Sequence, residues 1–496
     1  MKINPTTLYP LLRPALIFAA TALWFGAFAP LGIDFHHDGI MFKAAADIAD
    51  GKALFRDTFS QYGMLIPFVQ ALPLRLFGSE LLFLKLETVL FYALAAVVLD
   101  RLFRPYLSTA FQWLLLALYW TLAPELGVTM HPWSSVPAML TMLLAGLFFC
   151  RYFDRNRAAD LIGAGVMAGL AFGLRQPCGA VLLAAGVIAL GIKYFVQRPP
   201  LLSAIRELGI YLAGTGAVLA TYAIYLTAVG AWQDYYTQCI RFPLQFAGER
   251  SGGNDWGQIF DSFIPLGSGF TVFPWVCFGV FLYSIWRLWR QKESKYLNFA
   301  TLAVIGLASY HQYHPVPCVR HLYWAAVPMM GVYVIALNEI WRAPILRRSV
   351  RVAAIVFLLT GPGLTAGIRL YTGYDRLVTM GYRQRLDVEG LRGMLLTPSE
   401  ARYVLRFRAV LEAIPEVLRG RGRLNLTGDG LYAVLLAPDV VEPHRVFVNW
   451  GDLVYGDYSQ VVGDFVRRER PVILSKKPVP YPGYRPFAGF PAKDPE

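Results

Sequence analysis

The chain has 496 residues, of which 56% are hydrophobic and only 16% are charged, and its mean hydropathy is +0.44. This composition is more apolar than a soluble protein of that length requires, so it indicates a polytopic α-helical membrane protein. The formal net charge of +13 does not indicate a nucleic-acid partner, because the Lys and Arg residues lie in short clusters between apolar runs and form no basic stripe.

The first apolar run follows Lys2 and Arg13 and has no small-residue cleavage site, so we expect a retained membrane helix. A bilayer core about 30 Å thick needs roughly 20 apolar residues per helix, and similar runs recur downstream. The predicted spans, eleven in all, are residues 11–31, 81–103, 107–123, 136–153, 159–174, 179–195, 208–229, 265–288, 297–310, 322–340 and 350–370. Residues 62–77 form a further apolar run, but its two prolines and Arg75 favour an interfacial helix.

Positive charge between the predicted spans indicates their orientation, because Lys and Arg near helix ends stay on the cytoplasmic side. One set of alternate connections is basic, whereas the other set, apart from the opening loop, has few basic residues. The basic set holds Arg101, Arg104, Arg151, Arg155, Arg157, Lys193, Arg198, Arg206, Arg287, Arg290, Lys292, Lys295, Arg342, Arg347, Arg348 and Arg351. We therefore expect a multi-pass protein of a bacterial inner membrane, with the opening loop and the C-terminal region on the periplasmic side.

From residue 371 to residue 496 the long apolar runs stop and soluble patterning begins. The strand-like pieces GMLLT, LYAVLLA, HRVFVNW and RPVILS are interrupted by predicted amphipathic helices at residues 398–414 and around 458–468. Thr397 or Ser399 is the expected cap of the first of these helices. The sequence thus predicts a transmembrane domain at residues 1–370 and a small extracytoplasmic α/β domain at 371–496. Since the second has no catalytic motif, we expect a lid or an acceptor-binding domain.

Polar chemistry is concentrated in the loop between the first two spans, residues 32–80. Asp38 follows the first span, and Asp57 gives the same loop another carboxylate. Ionisable side chains at the end of a span cost desolvation energy unless they are solvated, paired or used, so this loop is a functional candidate. On spacing alone, Asp38 is either a general base that accepts a proton from a hydroxyl or a solvated loop acid.

The stretch HDGIMFKAAADIADGKALFRDTFSQYGMLIPFVQALPLRLFG resembles the first external loop of GT-C superfamily glycosyltransferases. These polyprenyl-phosphate-sugar-dependent membrane enzymes include protein O-mannosyltransferases and lipid A aminoarabinose transferases. In them an acidic pair follows the first span, and an aromatic-x-Asp motif comes after a small-residue helix. Asp38 falls on the first acid of that pair and Asp57 on the later Asp. Gly39 departs from the pattern, because the family often has Glu there, and QYGML at residues 61–65 replaces the usual proline pair.

Two later stretches are also similar to external turns of these enzymes. GLAFGLRQPCGA at residues 169–180 supplies Arg175, and HPVPCVRHLYWAAVP at residues 314–328 supplies Arg320 and His321. The resemblance implies that these three side chains bind the donor phosphate, where cations stabilise the charge that develops on the leaving group. Arg320 is the first choice because a guanidinium binds phosphate oxygens in a planar fork. The alternative for Arg320 is an interfacial side chain that snorkels.

The resemblance implies an enzyme that moves one sugar from a polyprenyl-phosphate carrier to a glycan, lipid or protein acceptor, with inversion at C1. Asp38 would activate the acceptor hydroxyl, and Asp57 would orient the acceptor or the reacting sugar. The candidates for substrate binding are His37, Lys52 and Tyr62.

A catalytic metal is an alternative suggested by His36 and His37 before Asp38. Neighbouring loop residues rarely bind one ion together, so we predict no metal ligand, and a divalent cation stays an unassigned cofactor. Lys85 and Glu87, inside the second span, either pair toward a cavity or lie near its outer end, and the sequence gives them no role. The five cysteines are interpreted as buried or unpaired thiols, with a bond between Cys239 and Cys318 as the alternative.

Two other classes of protein share this composition. A lipid or polysaccharide transporter would have internal repeats and broken helices, and we find no repeat between the two halves of the sequence. An accessory subunit that keeps the fold without catalysis is compatible with Gly39 in place of an acid.

Overall fold

The structure, a computed structural model, describes residues 5–250, 269–313, 318–413, 423–425, 430–436, 454, 458–469 and 472–474. The helices of its first half are α1 Pro5–Gly26, α2 His37–Ala49, α3 Leu65–Phe77, α4 Leu81–Phe103, α5 Thr109–Thr121, α6 Ser135–Arg155, α7 Ala158–Leu174, α8 Gln176–Gln197, α9 Leu201–Val229, α10 Trp232–Tyr236 and α11 Phe242–Arg250. Those of the second half are α12 Val272–Gln291, α13 Ser294–Ser309, α14 Val319–Arg342, α15 Arg348–Val378, α16 Pro398–Glu412, α17 Leu431–Leu436 and α18 Tyr458–Glu469. Two short strands, β1 Arg423–Asn425 and β2 Val472–Leu474, pair in parallel.

Within the described residues, seven helices are long and apolar enough to cross a membrane, namely α4, α6, α8, α9, α12, α14 and α15. The class of multi-pass helical membrane protein is therefore confirmed. Each of the other predicted spans also overlaps a helix, but the described apolar stretches of α1 and α7 are shorter, and α5 and α13 have only 13 and 16 residues. The total of eleven spans accordingly stays a prediction.

The spans differ in how far the protein encloses them. The apolar window of α14 is 78% buried, whereas that of α15 is only 6% buried, so α14 lies inside the bundle and α15 lies at its periphery. Small residues allow the closest helix contacts, because backbones can approach where no side chain intervenes. A Cβ atom on Gly165 of α7 would lie 2.1 Å from the carbonyl oxygen of Tyr211 in α9.

One buried arginine joins the last membrane helix to two connecting loops. Near the end of α15, Arg376 Nη1 donates to the carbonyl oxygens of Glu125 at 2.5 Å and Val128 at 2.6 Å. Its Nη2 donates to the carbonyl oxygen of Leu31 at 3.0 Å. Since buried carbonyl groups need partners, this guanidinium fixes the loop that follows α1 and the loop that follows α5.

The C-terminal region agrees only in part with its predicted elements. Thr397 caps α16, because its side chain accepts from the backbone of Glu400 while the Glu400 side chain accepts from the backbone of Thr397. The predicted strand RPVILS contains β2. The predicted strand LYAVLLA was wrong, since it forms helix α17, and a short continuous apolar run fits either structure. HRVFVNW at residues 444–450 lies outside the described residues, and the α/β domain as a whole stays a prediction.

All five cysteines are free, and all but Cys318 are buried. The alternative of a bond between Cys239 and Cys318 was therefore wrong. Cys239 Sγ instead contacts the carbonyl oxygens of Ser60 and Tyr62.

Candidate functional site

Asp38 lies in the first turn of α2 and is 1% exposed. Its Oδ2 lies 3.0 Å from Lys85 Nζ of α4 and accepts the backbone N–H of Asp34 at 2.9 Å. Lys85 also donates to the carbonyl oxygen of Gly32 at 2.9 Å. Asp38 Oδ1 is buried and has no hydrogen-bond partner among the residues that the structure describes. One carboxylate oxygen is thus held by the protein, and the other has no hydrogen bond from the described residues.

Burial raises the pKa of Asp38, and the positive charge of Lys85 offsets this rise only in part. A carboxyl group with a raised pKa is a stronger base once it is ionised. Nothing in the sequence distinguishes Lys85 from Glu87 as a partner of Asp38, whereas the packing of α4 brings Lys85 to this acid.

Beside Asp38, Asp34 connects two histidines that belong to different loops. Its Oδ1 accepts the backbone N–H groups of His36 at 3.1 Å and His37 at 2.7 Å, and lies 3.0 Å from His37 Nδ1. Its Oδ2 lies 3.2 Å from Nε2 of His131, in the connection between α5 and α6. Burial raises the pKa of Asp34, but the hydrogen bond from His37 and the two histidine charges lower it further, so the net shift is downward. Asp34 and His131 were given no role from sequence.

The same three residues form the one group, among the described residues, whose side chains could hold a metal ion. Asp34, His37 and His131 each offer one ligand atom, and these atoms lie within 4.8 Å of one another. The alternative set considered from sequence, His36, His37 and Asp38, shares only His37 with this group.

An aromatic residue, Trp133, covers this group. Its ring centroid lies 5.3 Å from that of His37, 6.0 Å from that of His131 and 5.0 Å from that of Tyr62. Burial raises the pKa of Tyr62, so its phenol is neutral at physiological pH, and its oxygen accepts from Gln61 Nε2 at 2.9 Å. The structure therefore places Tyr62 and His37, both candidates for substrate binding, on the same indole.

The predicted phosphate-binding arginines contact the connection between α5 and α6 and the first residue of α6. Arg320, in the first turn of α14, donates from Nη2 to the carbonyl oxygen of Thr129 at 3.2 Å. Its charge also lowers the pKa of His131, although burial is the larger cause. Arg175, between α7 and α8, donates from Nη1 to Ser135 Oγ.

The charge of Arg175 opposes the rise that burial causes in the pKa of the Tyr62 phenol. Ring contacts join Tyr62 through Trp133 to His37 and His131. His321 follows Arg320 in α14, and its ring lies 5.8 Å from that of Trp324.

The other predicted residues of the first loop take part in local ion pairs. Asp57 binds the guanidinium of Arg56 through two contacts of 2.9 Å and accepts the backbone N–H of Ala53 at 2.8 Å. Lys52 Nζ lies 2.7 Å from Asp47 Oδ1. These contacts account for the local fold of the loop and leave the substrate roles of Asp57 and Lys52 as predictions.

Gly39, where the family often has a second acid, is enclosed by the C-terminal region. A Cβ atom at Gly39 would lie 1.7 Å from the carbonyl oxygen of Gly430. The backbone N–H of Leu431 donates to the carbonyl oxygen of Phe35 at 2.9 Å. No side chain fits at Gly39 while this segment covers the start of α2.

Comparisons with known proteins bear on the fold. Residues 62–226 match the model of a family described as dolichyl-phosphate-mannose-protein mannosyltransferase. The crystal structure of ArnT from Cupriavidus metallidurans bound to undecaprenyl phosphate aligns with a TM-score of 0.51 and 12% identity, over 93% of this chain and 89% of ArnT. The chain has a GT-C fold. The resemblance to GT-C enzymes is thereby confirmed at the level of the fold, and the motif of the first loop stays a prediction because the family match begins at residue 62.

A second structure belongs to a much longer chain. The cryo-EM structure of arabinosyltransferase EmbB from Mycobacterium smegmatis aligns with a TM-score of 0.48 and 13% identity, over 82% of this chain. This chain spans only 44% of that EmbB chain. No curated protein matches the present chain by sequence.

Proposed function

We propose that this chain is a membrane glycosyltransferase that moves one sugar from a polyprenyl-phosphate carrier to an acceptor hydroxyl. The family match over residues 62–226 and the GT-C fold support this class of reaction. The observation that carries the proposal is the state of Asp38, a buried carboxylate with one oxygen bound by Lys85 and the other without a hydrogen bond in the described part of the chain.

In the proposed reaction the acceptor oxygen attacks C1 of the sugar while the bond between C1 and the phosphate oxygen breaks. The acceptor proton passes to Asp38 Oδ1, and the bonding electron pair leaves with the polyprenyl phosphate. Lys85 and the backbone N–H of Asp34 hold Oδ2, so the free oxygen keeps its direction. The single displacement inverts the configuration at C1.

Cations bind the leaving phosphate, whose negative charge grows as the bond to C1 breaks. Arg320 and Arg175 have this role, with His321 beside Arg320. Arg320 contacts Thr129 in the connection that also carries His131 and Trp133, and Arg175 contacts Ser135 directly after that connection, which supports a common site. His37, Tyr62 and Lys52 bind substrate groups, and Asp57 orients the acceptor or the sugar.

The reaction takes place on the external, periplasmic face of a bacterial inner membrane. The distribution of Lys and Arg between the eleven proposed spans supports this orientation. Residues 371–496 form an extracytoplasmic α/β domain, and the contact of Gly430 with Gly39 supports a role for this domain over the first loop. The acceptor is a glycan, a lipid or a protein.

The test is sugar transfer by the full chain in proteoliposomes supplied with labelled polyprenyl-phosphate sugars. Asp38→Asn keeps the size of the side chain but accepts a proton poorly, so turnover should fall by about 100-fold or more with donor binding nearly unchanged. Asp50→Asn is the matched control, because Asp50 belongs to the same loop and is exposed. Full activity of Asp38→Asn at normal expression would exclude Asp38 as the base, and no transfer by the wild type with any such donor would contradict the proposed function.

A further inference from the structure

Asp34, His37 and His131 converge from two connections that are distant in the sequence. Asp34 lies in the loop before α2, and His37 is the first residue of α2. His131 lies in the connection between α5 and α6. Asp34 lies 3.0 Å from His37 through Oδ1 and 3.2 Å from His131 through Oδ2. One carboxylate therefore faces two imidazoles.

His131 does not have the surroundings of a histidine that only fills a core. Its side chain is 2% exposed, yet neither ring nitrogen has a hydrogen-bond partner in the described part of the chain. His131 Nε2 lies 3.2 Å from Asp34 Oδ2, but the two atoms do not form a hydrogen bond. Buried polar groups are nearly always hydrogen-bonded, so two unpaired nitrogens in one buried ring need an explanation.

We propose that Asp34, His37 and His131 bind a divalent transition-metal ion of the zinc type. In a tetrahedral site with metal–ligand bonds of about 2.0–2.2 Å, neighbouring ligand atoms lie roughly 3.3–3.6 Å apart. The two imidazoles lie 3.0 and 3.2 Å from different oxygens of the Asp34 carboxylate, and one ligand atom from each of the three residues falls within 4.8 Å of the others, so small side-chain shifts bring them to these separations. Two imidazole nitrogens and one carboxylate oxygen suit zinc, whereas magnesium and calcium prefer sites made of oxygen atoms.

The neighbouring groups are compatible with such an ion. Trp133 packs against both histidine rings and shields one side of the group from water. Three protein ligands leave a fourth position, which an oxygen of water, a hydroxyl or a phosphate can fill.

Metal binding can be measured without any glycosyl transfer, so this proposal and the proposed function can fail separately. The full chain, prepared without a polyhistidine tag, is loaded with Zn²⁺, freed of excess metal and measured by elemental analysis. We expect about one zinc per chain, as three protein ligands imply, and the same in His36→Ala, since His36 lies in the same loop but outside the group. His37→Ala and His131→Ala should each lower the affinity for zinc by tenfold or more. A wild type without zinc, or a His131→Ala variant that keeps it, would overturn the proposal.

A second measurement needs no variant and so does not depend on how the variants fold. The melting temperature of the chelated wild type should rise on addition of Zn²⁺ and not on addition of Mg²⁺, because a ligand that binds only the folded state stabilises it. Co²⁺ in the same site should give the visible absorption of a tetrahedral ion with nitrogen and oxygen ligands. An equal response to Zn²⁺ and Mg²⁺, no response to either ion, or an octahedral Co²⁺ spectrum would contradict the proposed ligand set.

Discussion

Lys85 Nζ lies 3.0 Å from Asp38 Oδ2, so a membrane helix supplies the counter-charge for the buried acid of the first loop. The two side chains are 0% and 2% exposed, respectively. Taking each charge out of water is costly, and their mutual attraction offsets that cost only while both are present.

Replacing Lys85 should therefore destabilise the protein strongly. Lys85→Met leaves Asp38 as an uncompensated buried charge, and we expect a loss of about 3–5 kcal/mol. Thermal unfolding of the purified chain measures the effect. Arg408→Met is the control, because its ion pair with Glu412 is exposed and such pairs contribute roughly 0–1 kcal/mol. The double variant Lys85→Met with Asp38→Leu should recover stability; if Lys85→Met melts like Arg408→Met, the pair does not stabilise the loop.

Arg320 tests the phosphate site. Arg320→Lys keeps the charge but loses the planar fork, and should lose a substantial part of the transfer activity. Arg320→Ala should lose about 100-fold or more, the usual effect of removing one donor that stabilises developing charge. Transfer rates and photo-crosslinking of a polyprenyl phosphate analogue measure the two effects, with the exposed Arg385→Lys as control. A side chain that only anchors the helix at the membrane interface would tolerate lysine. Wild-type activity of Arg320→Lys, together with crosslinking of the lipid to Arg320→Ala, would therefore exclude Arg320 as the phosphate-binding residue and leave Arg175 as the candidate.

Gly39→Ala tests the contact between the first loop and the C-terminal region. The new methyl group would lie 1.7 Å from the carbonyl oxygen of Gly430, so the segment 430–436 has to move away. We expect faster hydrogen exchange in α17 and a loss of roughly 1–3 kcal/mol, as for other overpacked sites. Gly216→Ala is the matched control, because its Cβ meets nothing within 4 Å and alanine favours a helix. Unchanged exchange in α17 would show that the segment does not lie on Gly39.

Cysteine labelling tests the orientation. In a Cys318→Ser background, a cysteine at Ser399 should react with an impermeant thiol reagent in intact cells, whereas cysteines at Asn156 and Ser294 should not. All three positions are exposed, so burial does not explain a difference between them. The opposite pattern would place the candidate site on the cytoplasmic face, where soluble nucleotide sugars are available.

The helices could be predicted because a membrane span must be long and continuously apolar, and every predicted run overlaps a helix. LYAVLLA could not be assigned in the same way, since a short apolar run carries no period that distinguishes a strand from a helix. Asp38 could be predicted as a candidate residue from the charges of its loop, but its ion-pair partner, Lys85, could not be predicted. Lys85 and Glu87 are equivalent in the sequence, and only the packing of α4 distinguishes them. No sequence motif surrounds His131 in the connection between α5 and α6. Its proximity to Asp34 could therefore be found only from the tertiary structure.

Arg376 binds three backbone carbonyl groups that lie far before it in the sequence, so the loops that carry them can be fixed only late in synthesis. A chain made from its N-terminus presents Leu31 and then Glu125 and Val128 well before the guanidinium that binds them has been synthesised. The loops around Asp34 and His131 therefore reach their final arrangement only after α15 has entered the bilayer. A nascent chain that stalls before α15 carries the residues of the candidate site but leaves these carbonyls unbound, so an incomplete protein does not hold these two loops in their final arrangement.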